Sequence, residues 1–272
     1  MSNKGNQSLK EALQSIFATS VILLSFGVAL AIYIYIMGDP VNFEGGNPKG
    51  HPLQGNYLGM IYKGGVIVPI LITIVLVLIT FSIERWITLS RANGKGRLTT
   101  FVRNIQTLLK EDKIEEAVQI CDKQRGSLAN VLKAGLFRYR SLQADTTLPN
   151  DQKVIAMQKE LEEATALELP LLSKNLVIIS TIASISVLVG LIGTVIGMIK
   201  AFGALATAGA PDALALATGI SEALINTAFG ITGSTLAIIA YNFFSSKIDD
   251  MTYKIDEAGF SLTQTFATTL KK

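Results

Sequence analysis

The sequence predicts an all-α integral membrane protein with four transmembrane helices, whose long helices extend into a cytoplasmic helical domain. Three observations favour this class. Hydrophobic residues make up 49% of the 272 residues, and the mean hydropathy is +0.43. Only 17% of residues are charged, whereas a soluble domain carries about 25%. The apolar residues are also gathered in four separate blocks instead of being spread along the chain.

Composition argues against several other functions. The net charge is only +3 and no basic run is present, so nucleic acid is not expected as a partner. Cys121 is the only cysteine and His51 the only histidine, which excludes an intrachain disulfide and argues against a metal site or a histidine-based triad. We therefore expect no enzyme activity, no metal and no bound cofactor.

The first block follows a polar segment, residues 1–17, that we place in the cytoplasm. Residues 18–37 carry no charge, and about 20 residues of helix span a bilayer core of about 30 Å. A cleaved signal peptide is the alternative, with Ala29–Ala31 resembling a cleavage site. The apolar run continues past that point, and Tyr33 and Tyr35 suit the interfacial belt of an uncleaved helix.

The second block follows a loop, residues 38–65, that is rich in glycine, proline and asparagine and so favours turns. His51 is expected to be a solvated residue of this loop. Residues 66–84 form the second predicted transmembrane helix, with Pro69 in the first turn, where its missing N–H is tolerated. Glu84–Trp86 is expected to end the helix at a membrane interface.

The charges around this helix predict its orientation. The loop before it contains only Lys49 and Lys63, whereas five cationic residues follow it closely: Arg85, Arg91, Lys95, Arg97 and Arg103. The positive-inside rule places the segment after the helix in the cytoplasm. The loop 38–65 then lies on the outer side of the membrane, and both termini are cytoplasmic.

Residues 85–170 form the predicted cytoplasmic helical domain. Apolar residues at helical spacing predict four helices, at 99–110, 114–123, 128–142 and from about 150 to 168. Ser127 is a candidate N-cap for the third of these. Cys121 is interpreted as a packed, reduced thiol.

The last two blocks are predicted transmembrane helices at 171–200 and 213–244, joined by a short outer loop at 201–212. Pro170 either kinks the join with the cytoplasmic domain or is accommodated in a continuous helix. The final block is about 48 Å long as a helix and must tilt or protrude. Residues 245–272 are expected to form an amphipathic cytoplasmic helix with a frayed end.

Small residues recur on one face of each of these two helices, because residues three and four apart share a face. Such stripes let membrane helices approach closely. The predicted helix-packing residues are Gly190, Gly193 and Gly197 on the first helix, with Ala201 continuing the stripe, and Ala223, Gly230 and Ser234 on the second, with Ala237 continuing it.

Three polar residues within the stripes are candidates for an ion pathway. Thr194 and Thr227 can offer lone pairs to a hydrated cation; alternatively, each hydroxyl bonds to its own helix backbone. Glu222 is the only acid within the last two apolar blocks. It either belongs to the ion pathway or serves a packing contact between subunits, and the spacing leaves both roles open.

At these residues the chain resembles the MotA/TolQ/ExbB family of energy-transducing channel subunits. The resemblance rests on GLIGTVIGM at Gly190–Met198, GISEALINTAFG at Gly219–Gly230, and Tyr241-Asn242, with weaker likeness between Glu115 and Leu136. It covers about residues 60 to 255 and is closest to ExbB and TolQ. Residues 18–37 are an extra N-terminal transmembrane helix relative to the three family-type helices, and this helix is expected to pack outside them.

The resemblance implies a homopentamer around a central pore in the bacterial inner membrane. The pore would hold the two transmembrane helices of an ExbD- or TolR-like dimer, whose aspartate titrates. Thr194 and Thr227 would line the pore, and Glu222 matches the family's acid near the outer side. Translocated H⁺ would drive rotation that a TonB-like periplasmic protein passes on to outer-membrane transport. Extra hydroxyls leave Na⁺ open as the ion (Thr232, Ser234 and Thr235).

Three other functions remain as alternatives to TonB energisation. A TolQ-like subunit would serve envelope maintenance. A structural membrane scaffold would use the small-residue stripes only to hold subunits together and would conduct no ions. A solute transporter predicts inverted repeats or broken helices, and the sequence shows neither.

Overall fold

A computed structural model describes residues 19–48, 50–207 and 213–270. Within these residues it contains helices and no strand, which confirms the predicted all-α class. The predicted segment 1–17 lies outside the described residues, as do residues 208–212 of the predicted loop. The helices are α1 Thr19–Met37, α2 Tyr57–Tyr62, α3 Ile67–Ala92, α4 Leu98–Lys110, α5 Ile114–Gln124, α6 Ser127–Ala144, α7 Asn150–Ser173, α8 Leu176–Thr207 and α9 Ala213–Thr269.

Four of the described helical stretches are long and apolar enough to cross a membrane. They are Thr19–Met37, Ile67–Ala92, Asn150–Gly203 and Leu216–Thr269. The protein is therefore an all-α integral membrane protein, as its composition predicts. Its described part divides into two compact units, one made of residues up to Ile83 with Ile178–Tyr241, the other of Glu84–Val177 with the residues from Asn242 onward.

In the first unit, α1 packs on the beginning of α3. Ala29 and Met37 of α1 form a buried cluster with Val68 and Ile72 of α3, and Phe229 of α9 packs against it half-buried. Many of the other apolar side chains of α1 are exposed, as a lipid-facing surface requires. The extra helix is thus attached to the family-type helices through one narrow face.

The loop between α1 and α3 is folded through asparagine side chains. Asn42 is buried, and its amide donates to the carbonyl oxygens of Ile36 and Met37 at 2.8 and 3.1 Å. Its side-chain oxygen accepts from Asn56 at 2.9 Å, and Asn56 caps α2. These hydrogen bonds hold the loop compactly against the end of α1. His51 is an exposed residue of this loop, as predicted.

The helix α3 extends further than expected. The sequence predicts an end at Glu84–Trp86, but the helix continues to Ala92. Arg85 is only 1% exposed, and its charge is paired with groups of the second unit, to which it belongs. Its guanidinium bonds the Glu84 carboxylate at 2.6 and 2.7 Å and donates to the carbonyl oxygen of Leu172 at 3.2 Å. Because both charges are paired within the protein, they do not have to face water, and the helix continues past them.

In the second unit, helices α4, α5, α6 and α7 lie where helical spacing predicts them. The prediction that Ser127 caps α6 is wrong. Ser127 is the first residue of the helix, and Gly126 precedes it with φ 87°, a conformation that favours glycine. Cys121 is buried, as predicted, and burial raises the pKa of its thiol to about 12.

The join between α7 and α8 is a short break two residues long. Pro170 lies inside α7, which continues to Ser173, so the interruption falls at Lys174 and Asn175 instead. Asn175 has φ 61°, a left-handed conformation that asparagine tolerates better than most residues. Its side chain donates to the Glu84 carboxylate at 3.2 Å.

Two further boundaries differ from the predicted ones. Residues 201–207, expected to be loop, continue α8. Residues 245–269, expected to be a separate amphipathic helix, continue α9, which has 57 residues and is about 86 Å long.

Candidate functional site

The small-residue stripes of α8 and α9 face each other within one chain. A Cβ atom added to Gly190 would lie 2.9 Å from the carbonyl oxygen of Asn226 and 3.1 Å from the Cα of Gly230. One added to Gly197 would lie 2.8 Å from the backbone nitrogen of Ala223. The two backbones are thus in direct contact, which only small residues allow.

Serine hydroxyl groups add hydrogen bonds across the same helix pair. Ser186 is fully buried and donates to the carbonyl oxygen of Gly230 at 2.9 Å. Ser234 donates to the carbonyl oxygen of Ala183 at 2.6 Å. Such bonds between membrane helices contribute about 0.6 kcal/mol each on average. Ser234 was a predicted packing residue, whereas Ser186 was not, since a single serine in an apolar run gives no signal of its own.

Thr194 and Thr227 meet in the middle of this contact, and their hydroxyl groups are hydrogen-bonded to each other. Each hydroxyl group also lies within hydrogen-bond distance of a carbonyl oxygen of its own helix, Thr227 of Ala223 at 3.1 Å and Thr194 of Gly190 at 3.3 Å. Because a hydroxyl group has one proton, the threonine that donates to the other cannot donate to its own backbone at the same time. Both residues are half-buried. The fold therefore brings the two hydroxyl groups together as one polar element, and it also contains the backbone bond that a lone threonine would make.

Glu222 forms an ion pair with Lys200. Glu222 is 7% exposed, and its Oε1 accepts from Lys200 Nζ at 2.6 Å. The side chain of Lys200 is 53% exposed. The apolar pattern predicts a helix that ends at residue 200, but α8 runs on to Thr207, so Lys200 lies within the helix. The sequence indicates this ion pair only by a cation near the end of one apolar block and an acid near the start of the next.

Asn226 is a second polar residue that sequence analysis did not select. It is fully buried, and its Nδ2 donates to the carbonyl oxygen of Gly64 at 2.9 Å. Its Oδ1 has no hydrogen-bond partner among the described residues. Gly193 packs against it, since a Cβ there would lie 2.5 Å from the Asn226 Cβ. Asn226 follows Glu222 by four residues, so both occupy one face of α9.

A cavity of about 900 Å³ opens beside these residues in the first unit. It is lined by the loop residues 50–55 and by Lys63, Lys200, Ser221 and Glu222, among others. Burial lowers the pKa of Lys63, whose ammonium donates to the carbonyl oxygen of Pro48. Among the described residues, no group of three or more histidine, cysteine, aspartate or glutamate side chains could hold a metal ion.

Comparison with known proteins independently supports the resemblance to the MotA/TolQ/ExbB family. The model of the MotA/TolQ/ExbB proton channel family matches residues 124–257, which include both threonines and Glu222. The Tol-Pal system protein TolQ of Pseudomonas aeruginosa is 28% identical over 179 residues, covering 64% of this chain and 78% of that protein. TolQ of Haemophilus influenzae is 27% identical over 199 residues, covering 71% and 86%.

The biopolymer transport protein ExbB of Pseudomonas putida is 29% identical over 154 residues, covering 57% of this chain. This chain spans 46% of the length of that ExbB protein. The chain belongs to the MotA/TolQ/ExbB proton channel family.

Proposed function

We propose that this chain is the ion-conducting motor subunit of an inner-membrane complex that uses the proton motive force to energise TonB-dependent outer-membrane transport. The observation that carries the proposal is the hydroxyl pair of Thr194 and Thr227, formed where α8 and α9 touch. Two hydroxyl groups in a membrane interior supply oxygen lone pairs and exchangeable protons. Membership of a proton channel family supports this use of them.

The titrating carboxylate is proposed to come from a partner. In the described part of α8 and α9 up to Tyr241, the acid is Glu222, and Lys200 neutralises it. An ExbD- or TolR-like dimer with one span per subunit would bring its own aspartate next to the threonine pair. We propose that five copies of this chain surround that dimer and that a TonB-like protein receives the motion.

The translocated ion is proposed to be H⁺, with Na⁺ as the alternative. The additional hydroxyl groups of Thr232 and Thr235 are exposed and donate to the carbonyl oxygens of Ala228 and Ile231 at 2.8 and 2.9 Å. Hydroxyl oxygens of this kind are ligands that suit hard cations such as Na⁺. Measuring flux in sodium-free buffer separates the two ions.

Replacement of Thr227 by valine tests the proposal. Valine keeps the volume but removes the hydroxyl group, so ion-driven transport by the reconstituted complex with its partner should fall to background. The mass of the detergent-solubilised complex should stay that of the wild type, since the glycine contacts remain, and should correspond to five copies of this chain plus the partner dimer.

The matched control is Thr232→Val on the same helix, which removes an exposed hydroxyl group bonded to its own backbone. In sodium-free buffer it should leave proton-driven transport unchanged. Normal transport by Thr227→Val would count against an ion pathway at the threonine pair. Tolerance of both Thr194→Ala and Thr227→Ala would instead support a purely structural scaffold.

A Tol-type envelope-maintenance motor is the second candidate. The observation that favours it is coverage, because this chain spans 78% and 86% of two TolQ proteins but only 46% of the ExbB protein. The two roles differ in the deletion phenotype. Loss of TonB-dependent uptake with an intact detergent barrier indicates the first role, and detergent sensitivity with normal uptake indicates the second.

A further inference from the structure

Two side chains of α9 converge on one turn of the outer loop. Asn226 donates to the carbonyl oxygen of Gly64, and Glu222 lies against Gly65. Gly64 and Gly65 form the turn that leads directly into α3. Because Glu222 and Asn226 are one helical turn apart on the same face, they contact this turn at two successive points.

The turn can approach α9 so closely only because it is made of glycine. Gly65 has φ 74°, which other residues rarely adopt. A Cβ atom there would lie 2.4 Å from Glu222 Oε1, and one on Gly64 would lie 3.1 Å from Asn226 Oδ1. The carboxylate and the amide therefore rest on the backbone of the turn itself.

Lys200 completes this arrangement from α8. An unpaired carboxylate as buried as Glu222 would be costly, because burial removes its hydration. Lys200 supplies the opposite charge at 2.6 Å while keeping about half of its side chain in the open cavity. The ion pair thus joins α8 to α9 at the point where α9 holds the loop.

We propose that Lys200, Glu222 and Asn226 form an outer clamp that fixes the Gly64–Gly65 turn against the helix pair. In this clamp Lys200 is a positioning residue for Glu222. Glu222 acts through its ion pair and carries no translocated ion. The inference builds on the proposed function, because it assigns the acid of the helix pair a place beside the ion pathway.

The clamp also accounts for how the extra helix is coupled to the helix pair. On one side of the loop, Asn42 bonds to the end of α1 and Asn56 bonds to Asn42. On the other side, the Gly64–Gly65 turn bonds to α9. Loosening the clamp should therefore free the backbone of α2 and of the turn after it, and local opening of this kind is visible in amide hydrogen exchange.

A charge swap tests the clamp in the full-length protein in lipid nanodiscs. We expect Lys200→Glu and Glu222→Lys each to speed amide hydrogen exchange of residues 57–65 by roughly fivefold or more, in line with coupling between contacting residues. The double variant with both changes should return exchange to within about twofold of the wild type, because it restores the ion pair with reversed polarity.

Three controls sharpen the measurement. Lys200→Arg keeps the cation and should preserve the slow exchange. The neutral variants Lys200→Met and Glu222→Gln should each speed exchange, and because they introduce no reversed charge, they show whether misfolding explains the effect of the charge swaps. Exchange in α6, which lies in the other unit, should not change in any variant. The clamp is overturned if exchange is unchanged in all four single variants that remove a charge (Lys200→Glu, Glu222→Lys, Lys200→Met and Glu222→Gln). It is also overturned if the double variant does not recover slow exchange.

Ion flux by the complex with its partner supplies the second readout. Recovery of flux in the double variant supports a positioning role for both residues. Restored slow exchange with flux still at background would overturn the statement that Glu222 carries no ion. Failure of the proposed function is distinguishable, since Thr227→Val tests flux alone and hydrogen exchange is measured without any ion gradient.

Discussion

At the level of single residues, spacing was informative where several small residues repeat and uninformative where one polar residue stands alone. Thr194 and Thr227 could be selected because each lies in a stripe of glycine and alanine, and the fold brings their hydroxyl groups together. Asn226 directly precedes Thr227 in the motif Gly219–Gly230, yet its importance depends on Gly64, 162 positions earlier in the chain. No local pattern reports a contact of that range.

Cys121 leads to a prediction about thiol reactivity and pH. Burial raises its pKa from 9.0 to about 12, so at pH 8 the folded protein should contain on the order of a thousandfold less thiolate than an ordinary cysteine. A thiol-specific reagent should therefore label the native protein very slowly and label one thiol per chain after denaturation in detergent.

The same shift sets the sign of a pH effect on stability. The folded state favours the neutral thiol. The contribution of this thiol to the free energy of unfolding is therefore complete below about pH 9 and is lost as the pH rises towards about 12. Thermal unfolding of the purified protein between pH 7 and 10 checks it, with Cys121→Ala as the control that lacks the dependence. Rapid labelling of the native protein at pH 8 would contradict the buried thiol.

At the level of helices, the existence of each long helix followed from its pattern, whereas α2 falls within the predicted loop 38–65 and several helix ends differ from the predicted ones. The helix α3 passes through Glu84 and Arg85 because the two charges pair with each other and with neighbouring groups. Of the two alternatives at Pro170, a kink or a continuous helix, the structure has the continuous helix, and the interruption falls at Asn175, whose side chain bonds to Glu84. A charged residue thus does not mark the end of a helix where other groups of the protein pair with it.

The contact between α8 and α9 yields a prediction about glycine. A Cβ atom on Gly230 would lie 2.7 Å from the carbonyl oxygen of Ser186 and 2.8 Å from the Cα of Gly190. Gly230→Ala must push two backbones apart, and overpacking of this kind costs about 1–3 kcal/mol. We expect a lower melting temperature of the purified protein and loss of ion-driven transport.

The matched control for this change is Gly27→Ala in α1. A Cβ at Gly27 would meet nothing within 4 Å, and alanine favours helix more than glycine does by up to about 1 kcal/mol. The melting temperature of that variant should be unchanged or higher. Equal melting temperatures for Gly230→Ala and the wild type would show that the backbones are not in close contact.

At the level of the whole molecule, the orientation in the membrane is the feature that charge distribution predicts most directly. The loop before α3 should be periplasmic and the segment after it cytoplasmic. Alkaline phosphatase fused after Gln54 should therefore be active in cells, and the same enzyme fused after Ala144 should be inactive. A green fluorescent protein fused at the same two positions should show the opposite pattern. Activity of the phosphatase at Ala144 would reverse the proposed topology.

The sequence alone determined the class of the protein, its long helices and the stripes that hold α8 and α9 together, because hydropathy and helical periodicity are local properties of the chain. Tertiary structure decided which polar groups meet. Lys200 with Glu222, and Asn226 with Gly64, are pairs 22 and 162 positions apart. Burial in an apolar interior makes an unpaired polar group costly, but which partner satisfies it depends on how the helices pack.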